Sequence, residues 1–144
     1  MSRTIKGGQS FVLFPIGKKR FALPAGVVTE LAKPDRLQSF PQATRLLTGV
    51  LLRRGRIVPV CDIAPVLVGP DGPARKFFLI ANRNFGPAKE WTAVPVTGEC
   101  ELVNAEVLPV TGKLPKYVTG LLSLADEIVE VLDLDLLSAA EAEA

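Results

Sequence analysis

The sequence predicts an all-β protein made of two similar units. Two observations carry this reading: short apolar runs bounded by turn residues along the whole chain, and an internal repeat at a constant offset. A third agrees with it, since charges interrupt every apolar run well short of the ~18 residues a membrane-spanning helix needs.

The repeat is clearest between GVLLRRGRIVPVCDI, from Gly49 to Ile63, and GLLSLADEIVEVLDL, from Gly120 to Leu134, an offset of 71 (120 minus 49). The glycine, the apolar positions, the Ile-Val pair and the aspartate recur. Without a gap, Ala22-Leu23-Pro24 meets Ala93-Val94-Pro95, and Glu30-Leu31 meets Glu101-Leu102. Self-similarity of this kind marks duplication of a structural unit. It predicts Gly49 and Gly120 in like places, and Asp62 and Asp133 in like places. The chain 1–144 then forms a single domain with two barrel subdomains, 10–68 and 74–137, and with 1–9 and 138–144 as flexible tails.

Taken in order, Phe11 to Ile16 and Arg20 to Leu23 are strands of a hairpin turning at Gly17-Lys18-Lys19. Val27 to Ala32 is the next strand, ended by Lys33-Pro34-Asp35. Val50 to Leu52 and Ile57 to Cys61 flank Arg53 to Arg56, where Gly55 can supply a positive φ. Pro59 cannot donate to a ladder and points to an edge strand or a bulge. Val68-Gly69-Pro70-Asp71-Gly72-Pro73 is a connector. The second unit has strands at Lys76 to Ala81, Trp91 to Val96, Glu99 to Val107, Val118 to Leu122 and Ile128 to Leu132. Asp133 or Asp135 then caps a short C-terminal helix.

Composition excludes several classes of function. With 144 residues and no histidine, the commonest general base and zinc ligand are missing, and His-dependent triads cannot be built. No phosphate-binding glycine motif is present. Cys61 and Cys100 are two unclustered cysteines, which make neither a disulfide framework nor a metal site. Asp62 and Asp133 are read as strand-end caps rather than a carboxylate pair. No enzyme activity, metal or cofactor is therefore expected. The N-terminus lacks an apolar signal-peptide core, so a cytoplasmic location is expected. A nucleic-acid-binding module of SH3-like or OB-like type is the alternative reading. A net charge of +2, one Trp and one Tyr argue against nucleic acid as a partner.

The repeat also isolates candidate contact residues. Arg53, Arg54, Gly55 and Arg56 stand where the second copy has Leu124, Ala125, Asp126 and Glu127. A changed charge on a retained frame suggests that the first unit acquired a partner contact, because planar guanidinium donors suit carboxylates or phosphate. Arg54, Gly55 and Arg56 at this turn, with Glu30 and Val28 on the preceding strand, form the candidate partner-binding set. Val28 and Glu30 share a strand phase and are expected to face away from the interior of their unit.

These residues resemble the CheW-like domain family of bacterial chemotaxis adaptors. Gly49-Val50-Leu51, Arg54-Gly55, Ile57-Val58-Pro59-Val60 and Asp62-Ile63 follow that family's signature. FALPAGVVTEL upstream and YVTGLLSLADEIVEVLDLDLL downstream extend the likeness from about Phe11 to Leu137. Leu52 and Arg53 depart from it, standing where the family usually has Asn and Leu. The resemblance implies two five-stranded SH3-like barrels side by side. It further implies a non-catalytic scaffold that couples the cytoplasmic tip of chemoreceptors to the regulatory domain of the histidine kinase CheA. Such a protein is cytoplasmic, tied to membrane-bound receptor arrays by protein contacts and without direct membrane insertion. Arg54 and Glu30 then support the contacts, the kinase takes the first barrel's face, and a receptor helix takes an apolar groove between barrels. With Val28 lining that groove, Val28→Asp is expected to abolish receptor binding with little loss of stability.

Overall fold

The computed structural model describes residues 8–32, 38–39, 47–68, 77–85, 88–110 and 112–137. Eleven strands follow in order: β1 Gly8–Ile16, β2 Lys19–Pro24, β3 Val28–Ala32, β4 Gln38–Ser39, β5 Leu47–Arg53, β6 Arg56–Cys61, β7 Phe77–Phe85, β8 Ala88–Val96, β9 Glu101–Leu108, β10 Val118–Leu124 and β11 Glu127–Leu132. A helical turn follows each repeat: α1, Ala64–Leu67, after β6, and 134–137 after β11. The alternation that predicted strands is visible in β10, where Val118, Gly120 and Leu122 are buried and Thr119 and Ser123 exposed. Gly8 and Gln9 belong to β1 rather than to a tail. Residues 1–7, 138–144, Lys33-Pro34-Asp35 and the connector beyond Val68 lie outside the described residues.

The strands form a closed five-stranded barrel, β1-β2-β11-β10-β9, and a six-stranded sheet, β3-β7-β8-β6-β5-β4. The fold is all-β, but the two bodies are not the contiguous stretches 10–68 and 74–137. The N-terminal hairpin β1–β2 closes the barrel of the C-terminal half, and the hairpin β7–β8 completes the sheet of the N-terminal half. The exchange is reciprocal. β2 pairs in parallel with β11 at Ala22 and Val131, and β8 pairs in parallel with β6 at Ala93 and Val60, positions that the offset of 71 interconverts. The repeat could not reveal this, because two copies with equivalent edges offer each hairpin two equivalent docking places.

The repeat is otherwise kept residue by residue. The β5–β6 ladder pairs Gly49 with Val60, Leu51 with Val58 and Leu52 with Ile57, and the β10–β11 ladder pairs Gly120 with Val131, Leu122 with Val129 and Ser123 with Ile128. Each has a bulge at the same place, between Leu47 and Gly49 and between Val118 and Gly120. At Gly120 the neighbouring strand β9 comes so close that a Cβ would collide with Val107 Cγ1, which explains the glycine there. Pro59 lies in β6 between β5 and β8, not in an edge strand. The ladder to β8 is partnered only at Val60, so a missing donor beside it disrupts little.

The body described as a six-stranded sheet follows the barrel's plan with one strand divided. β9 runs unbroken, pairing β1 with its first part and β10 with its last. Its place in the sheet is taken by β3, which pairs β7, and β4, which pairs β5. Pro34 falls in the sequence between them.

Three apolar clusters result. Phe11, Leu13, Ala22, Leu122, Val129 and Val131 fill the barrel. Leu51, Val58, Val60, Ile80 and Ala93 fill the sheet's inner face. Four of these pairs, Leu51/Leu122, Val58/Val129, Val60/Val131 and Ala22/Ala93, are related by the offset of 71. The third cluster joins the bodies: Phe14, Ile16, Phe21 and Leu23 from the barrel meet Leu79, Ala81, Val94 and Val96 from the sheet. The helical turns add Ile63 and Ala64 from the first and Leu134 and Leu137 from the second to this cluster. Asp62 and Asp133 set up those turns, accepting from the backbone N–H of Ala64 at 3.1 Å and of Leu136 at 3.0 Å. Both aspartates thus act at strand ends, as their residue type and position suggest.

Candidate functional site

The β5–β6 turn is a two-residue loop in which Arg54 (φ 53°) and Gly55 (φ 73°) both adopt the left-handed conformation. This is the type I′ pattern, whose twist matches that of the flanking strands. The sequence pointed to Gly55 alone; a left-handed arginine is unfavourable by about 1 kcal/mol. The corresponding turn at Ala125-Asp126 has no positive φ, although its strands keep the same register. The first copy therefore differs in backbone as well as in charge.

Leu51 and Val58 face the sheet's interior, so Arg53 and Arg56, the pair two positions further on, lie on that same face at its mouth. Glu30 is there to meet Arg53. Its Oε1 accepts from Arg53 Nε at 3.2 Å and Nη2 at 2.5 Å, and its Oε2 from Arg54 Nε at 3.0 Å. The Glu30 side chain is 18% exposed and that of Arg54 66%. Glu30 is thus an inward anchor, and Arg54 is presented outward. The guanidinium of Arg56 lies 4.0 Å from the Trp91 ring centroid, and Trp91 packs against the inner cluster.

The hydrogen bonds from Arg53, and secondarily from Arg54, hold the Glu30 carboxyl below the usual carboxylate range. A pKa lowered by folding adds stability above the unfolded value, near 4.3, and that stability is lost as pH falls through the folded value. The melting temperature of the unmodified chain should therefore exceed that of Glu30→Gln at pH 7. The gap should close as the pH is taken below about 4, which melts recorded across this range will read.

Glu30 does not share the strand phase of Val28, and of the two only Val28 faces away from the interior of its body as expected. Val28 pairs with Ala81 and Glu30 pairs with Ile80, with a register shift at Thr29 between them. This bulge breaks the two-residue alternation. Ala81 belongs to the cluster between the bodies and Ile80 to the sheet's inner cluster, so Val28 and Glu30 face opposite ways. Val28 is half-buried against the inter-body cluster. Val28→Asp is accordingly expected to lower stability, by about 1–3 kcal/mol in a urea melt, contrary to the near-neutral effect inferred from strand phase. Next to it, Leu23, Pro24, Gly26, Val27, Leu132 and Leu134 contribute to a cleft of about 200 Å³ where barrel and sheet meet.

The structure thus brings Glu30, Arg54, Gly55 and Arg56 to one mouth and sends Val28 to the junction. Sequence reasoning missed Trp91, the chain's single tryptophan, and assigned Arg53 no partner. The available signal was the offset itself, which sets Trp91 against Arg20 and Arg56 against Glu127.

The crystal structure of the scaffolding protein TtCheW from Thermoanaerobacter tengcongensis superposes on this chain with a TM-score of 0.77 at 17% identity, covering 95% of this chain and 92% of that one. That likeness concerns the fold. No curated protein matches the sequence. The CheW-like domain, in contrast, matches the sequence over residues 10–142, a span that takes in both bodies, both bulged hairpins and the Arg54-Gly55 turn. The chain belongs to the CheW-like domain family, a family of chemotaxis scaffold proteins.

Proposed function

We propose that this protein is a non-catalytic adaptor that couples the cytoplasmic tip of chemoreceptors to the regulatory domain of the histidine kinase CheA. Family membership supports the adaptor role. The observation that carries the kinase half is the β5–β6 turn: Arg54 stands two-thirds exposed on a strained backbone, and Glu30 holds its guanidinium by the Nε–H and leaves the terminal amino groups outward. An arginine held in place loses less freedom on binding, so more of its interaction appears as affinity. The receptor half rests on the cleft beside Val28, where Leu23, Val27, Leu132 and Leu134 suit an apolar anchor from a helix and Asn82, Asp133 and Asp135 suit the polar groups beside that anchor. The protein then works in the cytoplasm, held to receptor arrays through protein contacts. Among the described residues no helix is long and apolar enough to cross a membrane.

Arg54→Ala tests the reading. Its side chain is too exposed to matter much for folding. Affinity for the CheA regulatory domain, measured by calorimetry, should fall by about 1–3 kcal/mol, roughly tenfold to a hundredfold, at unchanged melting temperature. Unchanged affinity in a folded variant would remove Arg54 from the interface.

A further inference from the structure

The two bodies carry the same mouth, furnished with different side chains. At the offset of 71, Arg20 corresponds to Trp91, Glu101 to Glu30 and Glu127 to Arg56. In the barrel these three side chains satisfy one another. Arg20 donates through Nη1 to Glu101 at 2.9 Å and through Nε to Glu127 at 2.9 Å, so one cation serves two carboxylates. In the sheet the same places hold Trp91, Glu30 and Arg56. Glu30 is taken by Arg53 and Arg54, while Arg56 stacks on Trp91. Among the described residues no carboxylate lies within ion-pair distance of Arg56, and the one glutamate at this mouth is shared by Arg53 and Arg54.

We infer that the sheet's mouth is a seat for a carboxylate carried by the kinase partner, which completes at Arg56 and Arg54 what Glu127 completes at Arg20 inside the barrel. With Cζ 4.0 Å from the indole centroid the guanidinium is covered on one side by Trp91, and a guanidinium so placed keeps N–H groups for a bidentate acid. The outer face of the same hairpin adds an apolar shoulder: Leu52 and Ile57 sit directly opposite each other, 67% and 74% exposed. The corresponding pair in the barrel is Ser123 and the exposed Ile128, so Leu52 is what the first copy adds to this shoulder. The matching occupant is an acidic turn with apolar neighbours. A second copy of this chain is the weaker occupant, because the Glu127 of its own acidic turn is already bound to Arg20 and only Asp126 of that turn is left to offer.

This inference rests on the adaptor reading, and the test separates the two. Trp91→Arg combined with Arg56→Glu rebuilds the barrel's triad in the sheet, where the same frame should accept it. The double variant should keep its melting temperature and lose about tenfold or more in affinity for the CheA regulatory domain by calorimetry. Arg56→Gln, which keeps Trp91, serves if the double variant fails to fold, and should lose about fivefold to tenfold. A folded variant of either kind that binds the kinase domain as the unmodified chain does overturns the inference and leaves the adaptor reading standing. No binding by the unmodified chain overturns both. Self-association of the unmodified chain in sedimentation, abolished in the variant while kinase binding persists, assigns the seat to a second copy and overturns the inference as well.

Discussion

Fragments 1–72 and 73–144, each alone, should show no cooperative unfolding transition as monomers, and mixing them in equal amounts should restore one. The cause is the exchange of hairpins. In the first fragment, Phe11, Leu13 and Ala22 lose Leu122, Val129 and Val131, the other side of the barrel's core. The strands β3 to β6 simultaneously lose β7 and β8, which separate β3 from β6 in the sheet. What remains is a hairpin of marginal stability and an open, half-covered sheet. The cluster between the bodies is divided as well, since it draws on both halves of the chain. Circular dichroism melts with sedimentation of each fragment and of the mixture decide the matter. A folded monomeric half would mean that β1–β2 can close on its own half, and would overturn the prediction.

Phe21→Ala should cost about 3–5 kcal/mol, a large part of the stability of a domain of this size. Phe21 is fully buried in the cluster between the bodies, with its ring centroid 6.1 Å from that of Phe14 and Lys19 Nζ 5.1 Å above it. It lies on β2, the strand that joins the first half of the chain to β11 of the second. Removing the ring leaves a cavity walled by residues of both bodies, which cannot collapse without moving one against the other. The melting temperature should fall by about 10 °C or more. A loss below about 1 kcal/mol would show that the junction repacks freely. Ala22→Gly, one position along and on the barrel's inner face, is a useful control because it should perturb the barrel alone.

The residues of the first copy's turn show how far a repeat can be read. Its frame was legible because strand pairing depends on period-two burial and on a bulge that needs glycine, and both leave marks in sequence. Hence Gly49 with Gly120, Asp62 with Asp133 and the paired hairpins were found from the sequence, together with the excess of arginine at one tip. The partner of that charge was also within reach, since Glu30 and Glu101 align. Which way Glu30 turns was not. A single extra residue at Thr29 reverses the phase of Val28 relative to Glu30, and nothing in VVTEL distinguishes a regular strand from a bulged one.

Sequence alone determined the all-β class, the duplication, the places of most strands, the strand-end role of the two aspartates and the family likeness. Each depends on local pattern: apolar periodicity, turn residues, a cap, a spaced motif. Tertiary structure alone decided which copy each hairpin joins, which face Glu30 takes, and that Arg56 lies over Trp91 while Arg20 binds two glutamates. Those choices depend on contacts between residues far apart in the chain, where two equivalent copies offer equivalent local signals and only the packing of the whole selects between them.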